Sequence, residues 1–243
     1  MLEHTTFLKR FRRALRSEFR WMKRCWCRGH LRWLAVSGLV ISIVMAWTVD
    51  RPWMDWITRT LRDCPKPQAG EVIASCRFFN RAGDFYFTLV ILLGLLAVQR
   101  FRKSAVLLRM TAAVVCAACI TTVVSRGLKV LVGRVRPREM IRRGVEPWYL
   151  NGPTLHGDYN SYPSGHSSLA AAGSGPLLVA LPWAGIPLTA GAIVIGGSRM
   201  VGVYHHPSDV VGGLWLGFMV GCTSGCRLRR TIRRARRLGG RSA

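Results

Sequence analysis

Residues 163–209 read PSGHSSLAAAGSGPLLVALPWAGIPLTAGAIVIGGSRMVGVYHHPSD. Two long apolar runs fill this stretch, and short polar motifs stand at their ends. A helix needs roughly 20 apolar residues to cross the hydrocarbon core of a bilayer. The stretch therefore predicts membrane-spanning helices that carry polar groups at one surface.

The same pattern continues on both sides of this stretch and predicts six spans in all. They lie approximately at residues 33–49, 84–99, 104–132, 164–183, 184–204 and 208–226. We therefore expect an all-α, polytopic membrane protein with a six-helix transmembrane bundle. Residues 1–32 would form a basic N-terminal segment, residues 33–226 the membrane domain and residues 227–243 an Arg-rich tail.

Charge is concentrated at the two ends of the chain. The formal net charge is +25, and residues 1–32 and 227–243 each contribute +8. Such tails would suit nucleic-acid binding or anchoring beside anionic lipid. Because apolar spans directly adjoin both tails, we expect membrane lipids as partners and no nucleic acid.

The N-terminal segment combines this charge with a helical apolar period. Six large apolar residues recur every three to four positions: Phe7, Phe11, Leu15, Phe19, Met22 and Trp26. The period predicts an amphipathic helix in the membrane interface, although a solvated basic tail is the alternative.

Orientation follows from the distribution of Lys and Arg. Placing both tails and the basic turn at residues 100–103 in the cytoplasm satisfies the positive-inside rule. The polar segments 50–82, 134–163 and 204–208 then lie outside. Both termini are therefore expected in the cytoplasm. Five arginines between residues 134 and 143 contradict the bias, and anion binding would explain them.

The eight cysteines do not suggest a metal site. Cys116 and Cys119 have CxxC spacing, but their apolar surroundings favour a role as small buried side chains. Cys64 and Cys76 share the polar segment placed outside, where a disulfide is plausible. No cleavable signal peptide is evident, since a strongly charged segment of about 32 residues precedes the first apolar run.

The first polar motif is Lys129 followed by Arg136-Pro137. An ionised side chain is costly in hydrocarbon, so Lys129 and the preceding Arg126 need either a polar partner or a path to the headgroups. Pro137 disfavours helix at Arg136, which we expect on an extended segment. A guanidinium there can hold two phosphate oxygens at once.

The second motif is Pro163-Ser164-Gly165-His166, directly before an apolar run. Backbone N–H groups at a helix N-terminus bind anions, and Gly165 permits close approach. An ordinary serine N-cap would explain Ser164 alone. His166 favours a phosphate site, because it would lie next to a bound phosphoryl group.

The third motif combines Ser198-Arg199 with His205 and Asp209. A carboxylate four residues from a histidine can hold one ring N–H and leave the other nitrogen free to attack. A capping or packing contact is the alternative. His206 competes for this role, but the spacing to Asp209 favours His205.

Taken together, Lys-x6-Arg-Pro, Pro-Ser-Gly-His and Ser-Arg-x5-His-x3-Asp resemble the signature of the type 2 phosphatidic acid phosphatase (PAP2) superfamily. The resemblance implies an all-helical core shared with vanadium-dependent haloperoxidases. It also implies a phosphatase that needs no metal or other cofactor. The substrate would be a phosphorylated lipid: a polyprenyl diphosphate, phosphatidylglycerol phosphate, phosphatidate or lipid A.

The resemblance further assigns a role to each motif residue. His205 would attack phosphorus and form a phosphohistidine, Asp209 would orient His205, and His166 would protonate the leaving oxygen. The phosphate oxygens would be held by Lys129, Arg136, Ser164, Gly165 and Arg199. Because one histidine must be neutral and the other protonated, we expect a bell-shaped pH profile.

Other basic residues beside the motifs are candidates for headgroup binding, namely Arg126, Arg134 and Arg138, with Arg142 and Arg143 further along. Several cations would suit a headgroup with more than one phosphate, but they could equally bind anionic membrane lipid. Two alternative functions remain: a phosphotransferase that passes the phosphoryl group to another lipid, and a non-catalytic lipid-binding or transport protein.

Overall fold

The computed structural model describes residues 2–27, 29–64, 66–83 and 85–239. Within these residues the chain folds into ten α-helices, with one irregular connection between residues 144 and 164. The helices are α1 (Leu2–Cys27), α2 (His30–Thr48), α3 (Asp50–Asp63), α4 (Lys66–Gly83), α5 (Phe85–Arg102), α6 (Ala105–Val132), α7 (Pro137–Arg143), α8 (Gly165–Ala180), α9 (Pro182–Val201) and α10 (Pro207–Gly239). The expected all-α fold is confirmed.

Four of the described helices are long and apolar enough to cross a membrane. They are α2, α6, α9 and α10. The expected spans 84–99 and 164–183 correspond to α5 and α8, and Asp84 itself lies outside the described residues. With 16 residues, α8 is shorter than the roughly 20 that a span requires. Six spans therefore stay a prediction.

Local chemistry sets the two ends of α6, the helix that carries the first motif. At its start, the Ser104 hydroxyl accepts a hydrogen bond from the Val106 backbone N–H at 3.2 Å. At its end, Gly133 adopts a left-handed conformation with φ 59°. A Cβ at Gly133 would lie 1.8 Å from the Gly152 carbonyl oxygen, so only glycine fits. The chain consequently turns sharply after α6.

Close packing of α8 against α10 forms the centre of the bundle. A stripe of glycines at four-residue intervals faces α8: Gly213, Gly217, Gly221 and Gly225. A Cβ on Gly213 or Gly217 would lie 2.5 or 2.2 Å from the carbonyl oxygens of Ser164 and Ser168, respectively. The two backbones can approach this closely only because these side chains are absent. This contact brings the N-terminal turns of α8 and α10 together.

The expected external loop at residues 50–82 is wrong in its secondary structure. It forms the helices α3 and α4. Met54 and Ile57 recur at helical spacing and are buried, which is why α3 packs on the bundle although the segment is polar overall. The plausible disulfide is not present, since Cys64 and Cys76 are both free thiols. Cys64 ends α3 whereas Cys76 lies within α4, so the two sit on separate helices.

Both basic tails are helical where they are described. Of the apolar residues expected on one face of α1, Met22 is buried and Leu15 packs beside it, whereas Phe19 and Trp26 are exposed. The Arg-rich segment from residue 227 continues α10 without a break to Gly239, and residues 240–243 lie outside the described part. The two tails meet where Arg227 contacts α1.

Candidate active site

The first motif lies at the C-terminal end of α6 and in the turn that follows it. The Lys129 ammonium donates a hydrogen bond to the Asn160 carbonyl oxygen at 2.8 Å. Arg136 is extended, with φ −80° and ψ 151°, and Pro137 opens α7, which confirms the conformation expected before a proline. Among the described residues, Arg136 Nε is buried without a hydrogen-bond partner. This donor is available to a bound anion.

The connection between α7 and α8 folds back over the end of α6. The Asn151 and Thr154 backbone N–H groups donate to the carbonyl oxygens of Gly133 and Val130 at 2.8 and 2.9 Å. The Ser161 N–H donates to the Arg134 carbonyl oxygen at 3.1 Å. These bonds fix Ser161, which lies two residues before the second motif, beside the first motif.

The second motif begins α8. Ser164 is fully buried at the N-cap, yet its side chain makes no capping bond, so the ordinary N-cap explanation does not account for its hydroxyl. The Ser164 hydroxyl oxygen instead accepts a hydrogen bond from Ser167 at 2.9 Å. A Cβ on Gly165 would lie 3.6 Å from Lys129 Cε, so the first two motifs are in contact. His166 is the second residue of α8 and is half-buried.

The third motif spans the turn between α9 and α10. Arg199 lies in the last turn of α9 and is buried, and its carbonyl oxygen accepts hydrogen bonds from the N–H groups of Tyr204 and His205 at 3.0 and 3.2 Å. The Arg199 guanidinium lies 4.5 Å from the centre of the Tyr204 ring. Arg136 and Arg199 are both within electrostatic range of the Lys129 ammonium. The three expected phosphate-binding cations therefore converge.

Asp209, in the first turn of α10, contacts both neighbouring histidines. Its Oδ2 atom lies 3.2 Å from His206 Nδ1 and 3.6 Å from His205 Nδ1, and it accepts the His206 backbone N–H at 3.0 Å. The Ser161 hydroxyl donates to the same oxygen at 2.5 Å. The backbone bond is a helix-capping contact, so Asp209 combines capping with contacts to both histidines, and the shorter of these is with His206 and not with the expected His205.

The electrostatic surroundings of His205 favour its neutral form. Burial lowers the pKa of His205, Lys129 and Arg199 act in the same direction, and only its contact with Asp209 opposes them. A neutral imidazole is the form that can attack phosphorus. His206 is fully buried, and its Nε2 atom has no hydrogen-bond partner among the described residues. Two of the cations that would hold a phosphate, Lys129 and Arg199, therefore act on His205.

The arginines considered for headgroup binding have three different environments. Arg134 is 4% exposed and paired with Asp50 and Asp209, so its expected headgroup role is wrong. Arg126 is exposed on α6. Arg138 is exposed on α7, with its guanidinium 4.5 Å from the centre of the Tyr204 ring.

Arg142 and Arg143, further along α7, also have local partners. Both bond to Glu139, Arg142 at 2.6 and 2.8 Å. Arg142 and Arg143 are therefore each paired with a carboxylate.

Sequence reasoning missed four residues of this site: Asp50, Ser161, Tyr204 and Ser208. Asp50 is fully buried and accepts hydrogen bonds from Arg134 and Ser208. The sequence does carry a signal for Asp50, because this acidic residue directly follows the first apolar run, where an unpaired carboxylate would be costly. Tyr204 and Ser208 are direct neighbours of motif residues, but nothing in their spacing predicts what they contact.

Comparison with known proteins identifies the class to which this fold and site belong. The family model of the PAP2 superfamily matches residues 106–231, from the start of α6 into α10. The match covers more than half of the chain and includes all three motifs. The chain therefore belongs to the PAP2 superfamily.

Two characterised relatives have similar sequences. The chain is 33% identical over 102 residues to a lipid A 1-phosphatase of Rhizobium etli, across 40% of this chain and 43% of that protein. It is 31% identical over 141 residues to an undecaprenyl-diphosphatase of Sulfolobus acidocaldarius, across 58% and 63%. The chain thus spans about half of the length of the curated relatives it matches.

A solved structure has a similar fold. It is the crystal structure of the first transmembrane PAP2 type phosphatidylglycerolphosphate phosphatase from Bacillus subtilis, with a TM-score of 0.54 and 20% identity. The alignment covers 82% of this chain and 96% of that one. At this identity the likeness establishes the fold.

Proposed function

We propose that the protein is a membrane phosphatase that hydrolyses a phosphate monoester or diphosphate of a lipid. The observation that carries the proposal is the position of His205, which is buried beside Asp209 within the field of Lys129 and Arg199. Binding alone would need only the cations, whereas a neutral histidine next to a carboxylate supplies a nucleophile. Apolar helices around the site suit a substrate that enters from lipid.

The proposed reaction has two steps, formation of a phosphohistidine and its hydrolysis. In the first, a ring nitrogen of His205 forms a bond to phosphorus as the bond from phosphorus to the lipid oxygen breaks, and His166 gives its proton to that oxygen. In the second, His166 takes a proton from water, whose oxygen displaces His205 and releases phosphate. Lys129, Arg136 and Arg199 stabilise the charge on the phosphate oxygens throughout.

The test is phosphate release from a panel of lipid phosphates and diphosphates by purified protein in detergent with chelator present. His205→Ala should reduce turnover at least about 10³-fold, because a missing nucleophile cannot be replaced by binding contacts. His156→Ala is the matched control, since this histidine lies in the connection before α8 with a side chain that is 67% exposed. Turnover of His205→Ala within tenfold of wild type would contradict the mechanism.

Brief incubation with labelled lipid distinguishes hydrolysis from phosphoryl transfer. Acid-labile, base-stable label on the protein, lost in His205→Ala, is expected for a phosphohistidine. Label that passes to an added acceptor lipid in preference to water would instead identify a phosphotransferase.

For the substrate, we propose that Arg138 binds a second phosphate of the headgroup. The exposed Arg138 and the buried Arg199 both lie 4.5 Å from the Tyr204 ring centre, so both cations pack against the same ring. Arg134, Arg142 and Arg143 are already paired with carboxylates. A diphosphate could therefore place its terminal phosphate against Arg199 and its lipid-linked phosphate near Arg138.

The corresponding test compares a polyprenyl diphosphate with the monophosphate of the same chain. Arg138→Gln should raise KM for the diphosphate about tenfold and leave KM for the monophosphate within about twofold, because one charge-assisted contact contributes roughly 1.5 kcal/mol. Arg142→Gln serves as the control, since Arg142 is exposed on the same helix as Arg138 and is paired with Glu139. Equal effects of Arg138→Gln on both substrates would contradict the assignment.

For location, we propose the bacterial inner membrane, with both termini in the cytoplasm and the site on the outer face. The positive-inside rule supports this orientation, because the tails at residues 1–32 and 227–243 each carry a net charge of +8. The division into segments 1–32, 33–226 and 227–243 belongs to the same proposal. A membrane-impermeant maleimide applied to intact spheroplasts should label Leu155→Cys, which is 84% exposed beside the site, but not the exposed Cys27. The reverse pattern would invert the topology.

A further inference from the structure

Asp50 is the first residue of α3, directly after the span α2, and it lies outside the part of the chain that matches the superfamily. Its side chain is fully buried. Asp50 Oδ1 accepts the Ser208 backbone N–H at 3.0 Å, and Oδ2 accepts the Ser208 hydroxyl at 2.6 Å. Oδ2 also accepts a hydrogen bond from Arg134 at 2.5 Å. Both oxygens are thus bonded to residues beside the site.

Arg134 connects Asp50 to the carboxylate that contacts His205. Its Nη2 atom bonds to Asp50, and its Nη1 atom bonds to Asp209 Oδ1 and to the Ser208 hydroxyl, each at 2.6 Å. The remaining N–H groups donate to the Pro147 carbonyl oxygen. A planar guanidinium held on two sides fixes the plane in which it presents donors.

The two oxygens of Asp209 consequently have separate tasks. Oδ1 is held by Arg134, while Oδ2 faces His205, His206 and Ser161. The orientation of Oδ2 toward the histidine therefore depends on the grip of Arg134 on Oδ1. The position of the Arg134 guanidinium depends in turn on its bond to Asp50. Asp50 also neutralises part of the positive charge of Arg134, so Asp209 keeps more of its own negative charge.

We propose that Asp50 is a positioning residue for the phosphoryl-transfer reaction, acting on His205 through Arg134 and Asp209. The proposal rests on the proposed function, and it extends the site to a residue outside the three motifs. Asp50 keeps Asp209 aimed at the histidine and basic enough to stabilise the ring as its other nitrogen bonds to phosphorus.

Asp50→Asn tests the proposal, because it keeps the shape of the side chain and removes its charge. Arg134 and Asp209 remain as a balanced pair, so the fold should survive. We expect kcat to fall about 10–100-fold, which is the usual effect of losing a residue that orients an active-site side chain from behind. KM should stay within about threefold of the wild-type value. Asp55→Asn is the matched control, since Asp55 is exposed on the same helix.

The pH profile separates positioning from a purely structural role. The charged groups acting on His205 are Asp209 from α10, Lys129 from α6 and Arg199 from α9, and they stay in place in Asp50→Asn. Loss of the nearby negative charge should make protonated His205 less favourable. The acidic limb of kcat/KM, where His205 becomes protonated, should therefore move to lower pH.

The possible results each decide the question. A normal kcat and an unmoved acidic limb in folded Asp50→Asn would overturn the proposal, even if the yield of folded protein falls. Should Asp50→Asn fail to fold, Ser208→Ala removes one bond to Asp50 and keeps all charges; unchanged kcat there would overturn it equally. Absence of wild-type turnover would count against the proposed function, whereas the ratio of Asp50→Asn to Asp55→Asn concerns Asp50 alone.

Discussion

Among the described residues, two ion-pair clusters lie along α10, one at its N-terminal end and one toward its C-terminal end, where the helix contacts α1. At the start of the helix, Arg134 is shared by the carboxylates of Asp50 and Asp209. Eighteen residues later, roughly 27 Å along the helix axis, Arg227 lies 3.5 Å from the single carboxylate of Glu18. Arg109 also acts on Glu18, so there one carboxylate faces two arginines.

The difference between the two clusters lies in what the carboxylates contact besides arginine. Asp209 faces His205 and, through it, the cations of the first and third motifs. Glu18 instead joins α1 to α10, together with the bonds from Arg227 to Ser17, and its Oε2 atom has no partner among the described residues. We infer that buried charge orients a reactive group at one end and docks a helix at the other.

Among the substitutions that test this difference between the two clusters, removal of Arg134 should have the largest effect on turnover. Arg134→Gln leaves two buried carboxylates without their cation, a change that typically costs about 3–5 kcal/mol. Turnover per unit of membrane protein should fall at least about 10³-fold, through loss of folded protein and misorientation of Asp209. Phosphate release and size-exclusion chromatography in detergent measure the two contributions.

Arg142→Gln provides the control for that experiment. Arg142 pairs with Glu139 at the surface, where its side chain is 68% exposed, so turnover should stay within about twofold. Near-normal turnover of Arg134→Gln would mean that Asp209 is held without the arginine, and the proposed difference between the two ends would disappear.

Sequence alone predicted the parts of the site that depend on local chemistry. Arg136 is extended because Pro137 follows it, and Ser164 begins a helix where an apolar run follows a proline. The three motifs also lie together as expected, as the contact between Gly165 and Lys129 illustrates.

The rest depends on contacts between residues far apart in the chain. The arginines close to Arg134 in sequence predict a headgroup role for it, whereas the structure pairs it with Asp50, 84 residues earlier in the chain. No local pattern connects these two residues. The helix α3 was missed for a related reason: its polar residues outnumber the buried Met54 and Ile57, and only the bundle supplies the surface that these two cover.

A smaller effect is expected in the pH dependence of turnover. Burial lowers the pKa of His205, so the nucleophile stays neutral below the usual histidine pKa of about 6.5. The acidic limb of kcat/KM should thus lie below pH 6.5 and fall about tenfold per pH unit beyond it. The basic limb should report loss of the proton from His166.

Measurement of kcat/KM from low to high pH with one lipid substrate checks this prediction. His166→Asn should remove the basic limb and retain the acidic one. An acidic limb at or above pH 6.5 would show that Asp209 and the phosphate outweigh burial, and a rate that rises monotonically to high pH would oppose the assignment of both histidines.

In the cluster of Arg227 and Glu18, Arg227→Gln should lower the stability of the protein and have little effect on turnover. The substitution weakens the bonds to Ser17 and the ion pair with Glu18, which join α1 to the bundle. We expect the Tm in detergent to fall by roughly 2–4 °C per kcal/mol lost, and kcat to stay within about twofold. Arg229→Gln, exposed on the same helix, is the control. A large loss of kcat in folded Arg227→Gln would show that the two ends are coupled.

The smallest effect concerns Glu18, where burial raises the pKa and the opposing charges of Arg227 and Arg109 do not fully compensate. A carboxyl whose pKa is higher in the folded state favours folding when protonated. Its contribution is complete below the unfolded pKa of about 4.3 and is lost as pH rises through the folded value. Wild-type stability should therefore decline slightly across that interval.

Glu18→Gln should remove this decline and be slightly more stable than wild type at neutral pH, with unchanged kcat. The comparison is Tm against pH in detergent, with Glu71→Gln, exposed on α4, as the control. If Glu18→Gln is less stable at neutral pH, the ion pair with Arg227 outweighs the cost of burying the carboxylate. In that case, the ion pairs of both clusters would stabilise the folded protein. The clusters around Glu18 and Arg134 would then differ only in the histidine that Asp209 contacts.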